Sequence, residues 1–238
     1  MSRAFEELDH QTTPLGEISL RRRLEPVLQV DVWEVKLDDE FLMSSLFTAS
    51  EEALATLGLA AVTGDELDVV VGGLGLGYTA LTALADERVA RLQVIEALPE
   101  VIGWHRDGLV PIGTQLAVDD RCTLRHGDFF ALVDQGIETD PGGPHRFDAI
   151  LVDIDHTPTH HLHESSAGFY SAAGFGGVRD QLRPAGVFAL WSDDPPDAGF
   201  EALLAETFTD VAAHVVSFPN HYTGGESACT IYVALAPG

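Results

Sequence analysis

The sequence predicts an α/β protein: an open, mainly parallel sheet with helices on both faces, closed by an antiparallel pair of strands. Three observations carry this. Between residues 67 and 208, short β-branched runs alternate with Ala- and Leu-rich stretches of helical length. The first of these runs, Leu67-Asp68-Val69-Val70-Val71, turns through Gly73-x-Gly75-x-Gly77 directly into a helical pattern. The last two apolar runs, over 212–218 and 229–235, are separated only by a loop with Gly224-Gly225.

Taken in order, residues 1–10 are polar and are expected to fray. Pro14-Leu15-Gly16 makes a turn into a half-exposed strand ending at Arg21-Arg22-Arg23, three arginines best suited to surface ion pairs. Val30-Asp31-Val32-Trp33-Glu34-Val35-Lys36-Leu37 carries strand formers in partial alternation. Asp38-Asp39-Glu40 then turns the chain into Phe41-Leu42-Met43. These segments form a small N-terminal β unit over 1–47, leaving 48–238 as the main domain. Thr48-Ala49-Ser50-Glu51 matches a capping box and opens a helix to about residue 62, with Gly64 beyond it.

The parallel strands are expected at 67–71, 91–96, 122–126, 147–153 and 187–191. Helices are expected over 78–86, from Pro99 to 109, near 171–182 and over 200–208. Residues 136–144, rich in Gly, Pro and acids, read as a solvated loop.

Composition narrows the function. The chain of 238 residues, 45% hydrophobic and 21% charged, suits one globular domain with a small appendage. A net charge of −25, with Lys36 the only lysine, repels phosphate backbones and argues against nucleic-acid binding. The same field attracts cations such as polyamines, although acids scattered along the whole chain also suit plain solubility. No apolar run reaches membrane-span length, and the polar start does not read as a signal peptide, so no membrane partner and a cytoplasmic location are expected. Cys122 and Cys229 lie in strand-like runs and read as core thiols.

In an open parallel sheet, ligands bind beyond the carboxyl ends of the strands. Those ends supply the Gly73–Gly77 loop, Glu96, His126-Gly127-Asp128, Asp153-Ile154-Asp155-His156 and Trp191-Ser192-Asp193-Asp194. The glycines let the backbone approach a ligand, and the new helix offers free N–H groups. Glu96 lies 19 residues after Gly77, close to the roughly 20 at which an acid takes ribose hydroxyls in nucleotide-binding sheets. Together they point to a nucleoside-containing cofactor. Trp104 and His105, on the helix after Glu96, read as packing or solvent-facing residues rather than reacting ones. His156, His160, His161 and His163 complete no recognised metal spacing; a lid or a polar loop is the reading, with no metal expected.

The glycine loop, Glu96, Gly127-Asp128 and Phe147-Asp148-Ala149-Ile150-Leu151-Val152-Asp153 resemble class I S-adenosylmethionine-dependent transferases. Within these, the N-terminal β unit, the Asp-x-Asp strand end, Phe169-Tyr170 and Leu182-Arg183-Pro184-Ala185-Gly186-Val187 look most like the spermidine synthase (polyamine aminopropyltransferase) branch. The resemblance implies a Rossmann-like class I methyltransferase fold with a seven-stranded, mainly parallel sheet and a C-terminal antiparallel hairpin. It implies S-adenosylmethionine or decarboxylated S-adenosylmethionine as cofactor, and a small acceptor, with a polyamine as the candidate. Gly73, Gly75 and Gly77 would hold the methionine-like tail, Glu96 the ribose, Asp128 the adenine amino group and Phe129 the ring. Asp153, with Asp155, would position or deprotonate the nucleophile. A homodimer is a further expectation.

The departures from that branch bear on the reaction. Gly75 stands where spermidine synthases carry an aspartate for the donor's amine. Glu51-Glu52-Ala53-Leu54-Ala55 lacks their Tyr-His pair, and Asp153-Ile154-Asp155-His156-Thr157-Pro158 replaces Asp-Ser-Ser-Asp-Pro. Without an aspartate at 75, the sequence leans slightly towards methyl transfer. The competing classes are a non-catalytic adenosyl-binding or scaffold protein, and a nicotinamide dehydrogenase, which the terminal antiparallel pair, Asp128 and Asp153 disfavour.

Overall fold

The computed structural model describes residues 5–137, 146–160 and 164–238. Four strands, β1 (Phe5–Thr13), β2 (Gly16–Glu25), β3 (Val30–Leu37) and β4 (Glu40–Ser44), form an antiparallel sheet in sequential order. Residues 5–10 therefore belong to a strand rather than a frayed end. The register explains why: Glu6 pairs with Arg22 and Glu7 with Arg21, opposite charges across the ladder. Arg22 reaches Glu6 at 2.6 Å and Arg23 reaches Glu34 at 2.7 Å, so these arginines make ion pairs within the small sheet.

The large sheet contains β5 (Leu67–Gly72), β6 (Val89–Glu96), β7 (Cys122–His126), β8 (Phe147–Val152), β9 (Leu182–Ser192), β10 (Thr209–Asn220) and β11 (Gly225–Leu235). Their spatial order is β10-β11-β9-β8-β5-β6-β7. β5 pairs in parallel with both β6 and β8, and β11 lies antiparallel to β9 and β10. The chain reverses its direction of travel across the sheet at the β5–β8 junction, where such sheets open a crevice. This is the Rossmann-like, mainly parallel seven-stranded sheet with its terminal hairpin.

Alternation along β5 divides the core. Val69 and Val71 face α1 (Ala49–Ala60), α2 (Tyr78–Ala85) and α3 (Pro99–Arg106) through one buried cluster that also takes in Ile18, Leu20, Val35 and Leu37 of the small sheet. Val70 faces the other cluster, with Ile150, Phe188 and residues of α5 (Phe129–Gln135), α6 (Ala172–Gln181) and α7 (Ala198–Ala205). The sequence reading missed α5 and the single turn α4 (Gln115–Val118). It also started β9 at 187, whereas the strand runs from Leu182 and bulges between Leu182 and Val187, with Ala185 at φ 58°.

The amino ends of the strands are held by charge. Asp68, 1% exposed, accepts from Arg91 and, at 2.7 Å, from Arg183. Arg183 also donates to Asp148 at 2.6 Å, and Asp148 accepts the Asp68 backbone N–H at 2.8 Å. One network thus ties β5, β6, β8 and β9 at the end opposite the glycine loop. Both cysteines are free thiols, Cys229 buried and Cys122 half-buried. Among the described residues, no helix is long and apolar enough to cross a membrane. The loop expected at 136–144 lies mostly outside them.

Candidate active site

At the carboxyl end of β5 the backbone leaves the sheet through Gly73 (φ 91°) and Gly75 (φ 47°), and Gly77 caps α2. A Cβ at Gly73 would collide with the Asp153 carbonyl oxygen, so the loop lies flat against the end of β8. A Cβ at Gly75 would collide with the Met43 sulfur of β4, which accepts the Leu76 N–H at 3.2 Å. The small sheet thus shapes the loop directly. His105 is wholly buried under it, with Nε2 2.9 Å from the Gly75 carbonyl oxygen, and Trp104 is buried with its indole N–H on Asp9. Of the two placements the sequence left open, packing and solvent exposure, both residues take the first.

Glu96 ends β6, and its carboxylate accepts backbone N–H groups from Leu74 at 3.0 Å and from Leu98 at 2.9 Å, with those of Gly75 and Ala97 also directed to it. It is therefore fixed to the loop at the lining of the cleft. Burial pushes its carboxyl up, and the backbone N–H groups oppose that shift. Asp128 caps α5: Oδ1 accepts from Phe130 at 3.0 Å and Ala131 at 3.3 Å, and the side chain stays exposed. Phe129 is 2% exposed, set behind Gly72 in an aromatic cluster with Phe130 and Phe169.

Asp153 follows β8, its N–H held by the Gly72 carbonyl at 2.8 Å and its Oδ2 by the Thr79 hydroxyl at 2.6 Å. Burial pushes its carboxyl up to about 6, against the Thr79 hydrogen bond. Asp155 is 3% exposed and accepts from the Tyr170 hydroxyl at 2.9 Å. His156 Nε2 lies 3.0 Å from Glu40 Oε1, and His160 Nε2 lies 3.7 Å from the same oxygen. These contacts join the loop after β8 to the first residue of β4. His161 and His163 lie outside the described residues.

A cleft of about 670 Å³ connects these groups. It runs from the glycine loop and Glu96 past Asp128 and Phe129 to Asp153, Asp155 and His156, under Ile18, Val35, Leu37 and Met43 of the small sheet. Gly73, Gly75, Glu96, Asp128, Phe129, Asp153 and Asp155 all line it, whereas Gly77 and, beyond Trp191, Ser192, Asp193 and Asp194 do not.

Sequence reasoning missed Glu51. No side-chain hydrogen bond caps α1 at Thr48; its hydroxyl instead donates to Glu52 at 2.7 Å, so the expected capping box does not form. Glu51 turns into the cleft, 8% exposed, accepting the Ser50 hydroxyl at 2.8 Å. Burial and the Asp153 charge push it up to about 7. The signal was present in the periodicity: Glu51, Leu54, Ala55 and Gly58 lie on one buried helix face, and an acid on an apolar face needs a reason.

No protein-family model matches the sequence. Among solved structures, a spermidine synthase in complex with the transition-state analogue AdoDATO superposes with a TM-score of 0.75 at 17% identity, covering 97% of this chain and 73% of that one. Spermidine synthase from Thermotoga maritima gives a TM-score of 0.74 at 17% identity, with 97% and 72% covered. The two-sheet architecture just described is thus spermidine synthase-like, of the class I S-adenosylmethionine-dependent fold.

Proposed function

We propose that this chain is a transferase that moves an aminopropyl group from decarboxylated S-adenosylmethionine to a small polyamine acceptor. The observation that carries the reading is the charge of the cleft. Glu51, Glu96, Glu100, Asp128, Asp153 and Asp155 line it, and its described lining contains no lysine or arginine. Such a surface favours cationic ligands and leaves a donor's carboxylate without a partner. A TM-score of 0.75 to a spermidine synthase holding AdoDATO supports the same reading.

The residues fit an adenosyl group. Glu96, an acid at the strand end lining the cleft, suits a ribose diol, Asp128 keeps Oδ2 for an exocyclic amine, and Ile95, Leu98 and Phe130 supply apolar walls. When bound, the sulfonium donor supplies a carbon already activated for displacement. The protein aligns the amine, excludes water under the small sheet and takes the amine's proton on Asp153. Gly75, which favoured methyl transfer on sequence grounds, has a steric cause in Met43 that is independent of the donor.

Competition binding of the two donors tests this. A preference on the order of a hundredfold for the decarboxylated form, about 2.7 kcal/mol, is expected. Equal affinity would return the chain to methyl transfer.

A further inference from the structure

The Asp-x-Asp strand end suggested that Asp153 works with Asp155. Their surroundings differ. Asp155 is buried against the Tyr170 hydroxyl, whereas Asp153 meets Thr79, whose hydroxyl oxygen also lies 3.2 Å from the Glu51 backbone carbonyl. Three elements therefore converge on one hydroxyl: the first turns of α1 and α2 and the end of β8. Glu51 and Asp153 both line the cleft there, and neither has an arginine or lysine beside it among the described lining residues.

Resting on the transferase reading above, we propose that Glu51 and Asp153 act as one unit, a carboxylate pair that holds a single proton in the free protein and exchanges it for the acceptor's primary ammonium group. Two carboxylates facing one desolvated space do not both ionise readily, so one proton between them is the low-energy state. The upward shift of Glu51, to which the Asp153 charge contributes, agrees with this, and burial raises Asp153 beside it. Among the described residues, the charged and titratable groups acting on Glu51 add no cation: Glu52 is on its own helix, Tyr78 comes from α2, and Cys229 of β11 brings Asp193 beside it. An arriving ammonium supplies the missing positive charge. The shared proton leaves to the buffer, and the doubly ionised pair then takes one proton from the bound ammonium. The freed lone pair forms the N–C bond to the donor's aminopropyl carbon as the C–S bond breaks, and methylthioadenosine leaves as the neutral thioether. Glu51 is on this account a substrate-binding residue that also sets the basicity of Asp153.

Calorimetry in buffers of different ionisation enthalpy counts the protons. With methylthioadenosine saturating, titration of 1,4-diaminobutane at pH 6.5 should release about one proton per site, and the release should fade as the pH rises above 8. Methylthioadenosine alone, which lacks an amine on its tail, should bind without release. In Glu51→Gln the diamine should bind at least tenfold more weakly, with little proton release, while methylthioadenosine affinity is retained. Diamine binding without proton release in the unaltered protein, or undiminished in Glu51→Gln, would overturn the pair. Failure of methylthioadenosine to bind at all would instead overturn the adenosyl reading. The count on the unaltered protein stands even if the variant folds poorly.

Discussion

Glu96 joins the glycine loop to the turn after β6 and lines the cleft. Glu96→Ala should weaken methylthioadenosine binding at least tenfold, about 1.4 kcal/mol, measured by calorimetry on a variant whose circular dichroism is unchanged. Unaltered affinity would place the adenosyl site elsewhere. Asp153→Asn should depress turnover by two orders of magnitude or more, in line with the loss of a general base, and spare adenosyl binding. The sign of the pH effect follows from the raised carboxyls. Glu51 and Asp153 are protonated below their values of about 7 and about 6, so turnover should rise with pH through that interval. Turnover that stays flat between pH 5.5 and 8 would remove Asp153 from the chemistry. Most of these residues were legible because strand ends are short, polar and spaced by regular β-α units. Glu51 was not, because a capping box and a buried acid share the same four letters.

At the scale of elements, the loop between β5 and α2 is shaped by β4. Restoring the aspartate that spermidine synthases carry at position 75 should not restore its role here. Gly75→Asp forces a side chain onto a φ of 47° and into the Met43 sulfur. The variant should lose about 1–3 kcal/mol of stability, seen as a lower midpoint in urea, and bind the decarboxylated donor no better. Tighter binding with unchanged stability would show that the loop can repack around Met43. The sequence announced the glycine turn clearly, since β-branched runs followed by spaced glycines have few alternative readings. It did not announce Met43 as the turn's neighbour, because that contact spans 32 residues between two sheets. Pairing of β1 was hidden similarly: Glu6 and Glu7 read as polar chain until Arg21 and Arg22 stand opposite them.

For the whole molecule, the charge of −25 is the dominant long-range property. Self-repulsion at that charge opposes compaction and is screened by salt, with a Debye length of about 10 Å at 0.1 M and 3 Å at 1 M. Thermal midpoints should therefore climb as potassium chloride is raised from 0.05 to 1 M, while the affinity of a cationic diamine falls. A midpoint that drops across this range would mean that the ion pairs, such as Arg183 with Asp68 and Asp148, outweigh the repulsion. Fold class was readable at this scale, since alternation and the terminal hairpin are global patterns. The arrangement of the cleft beneath the small sheet was not, because it depends on how two separately predicted pieces dock.

That docking constrains motion. Ile18, Leu20, Val35 and Leu37 of the small sheet lie in the same buried cluster as Leu54, Val69 and Val71 of the large unit. A hinge that lifted the small sheet off the cleft would expose this shared interior to water, at roughly 25 cal/mol for each Å² of apolar surface. Ligands must therefore come and go past loops and side chains at the rim while the two sheets stay together. By the same reasoning, the slowest amide protons of β2 and of β5 should exchange only when the entire chain opens.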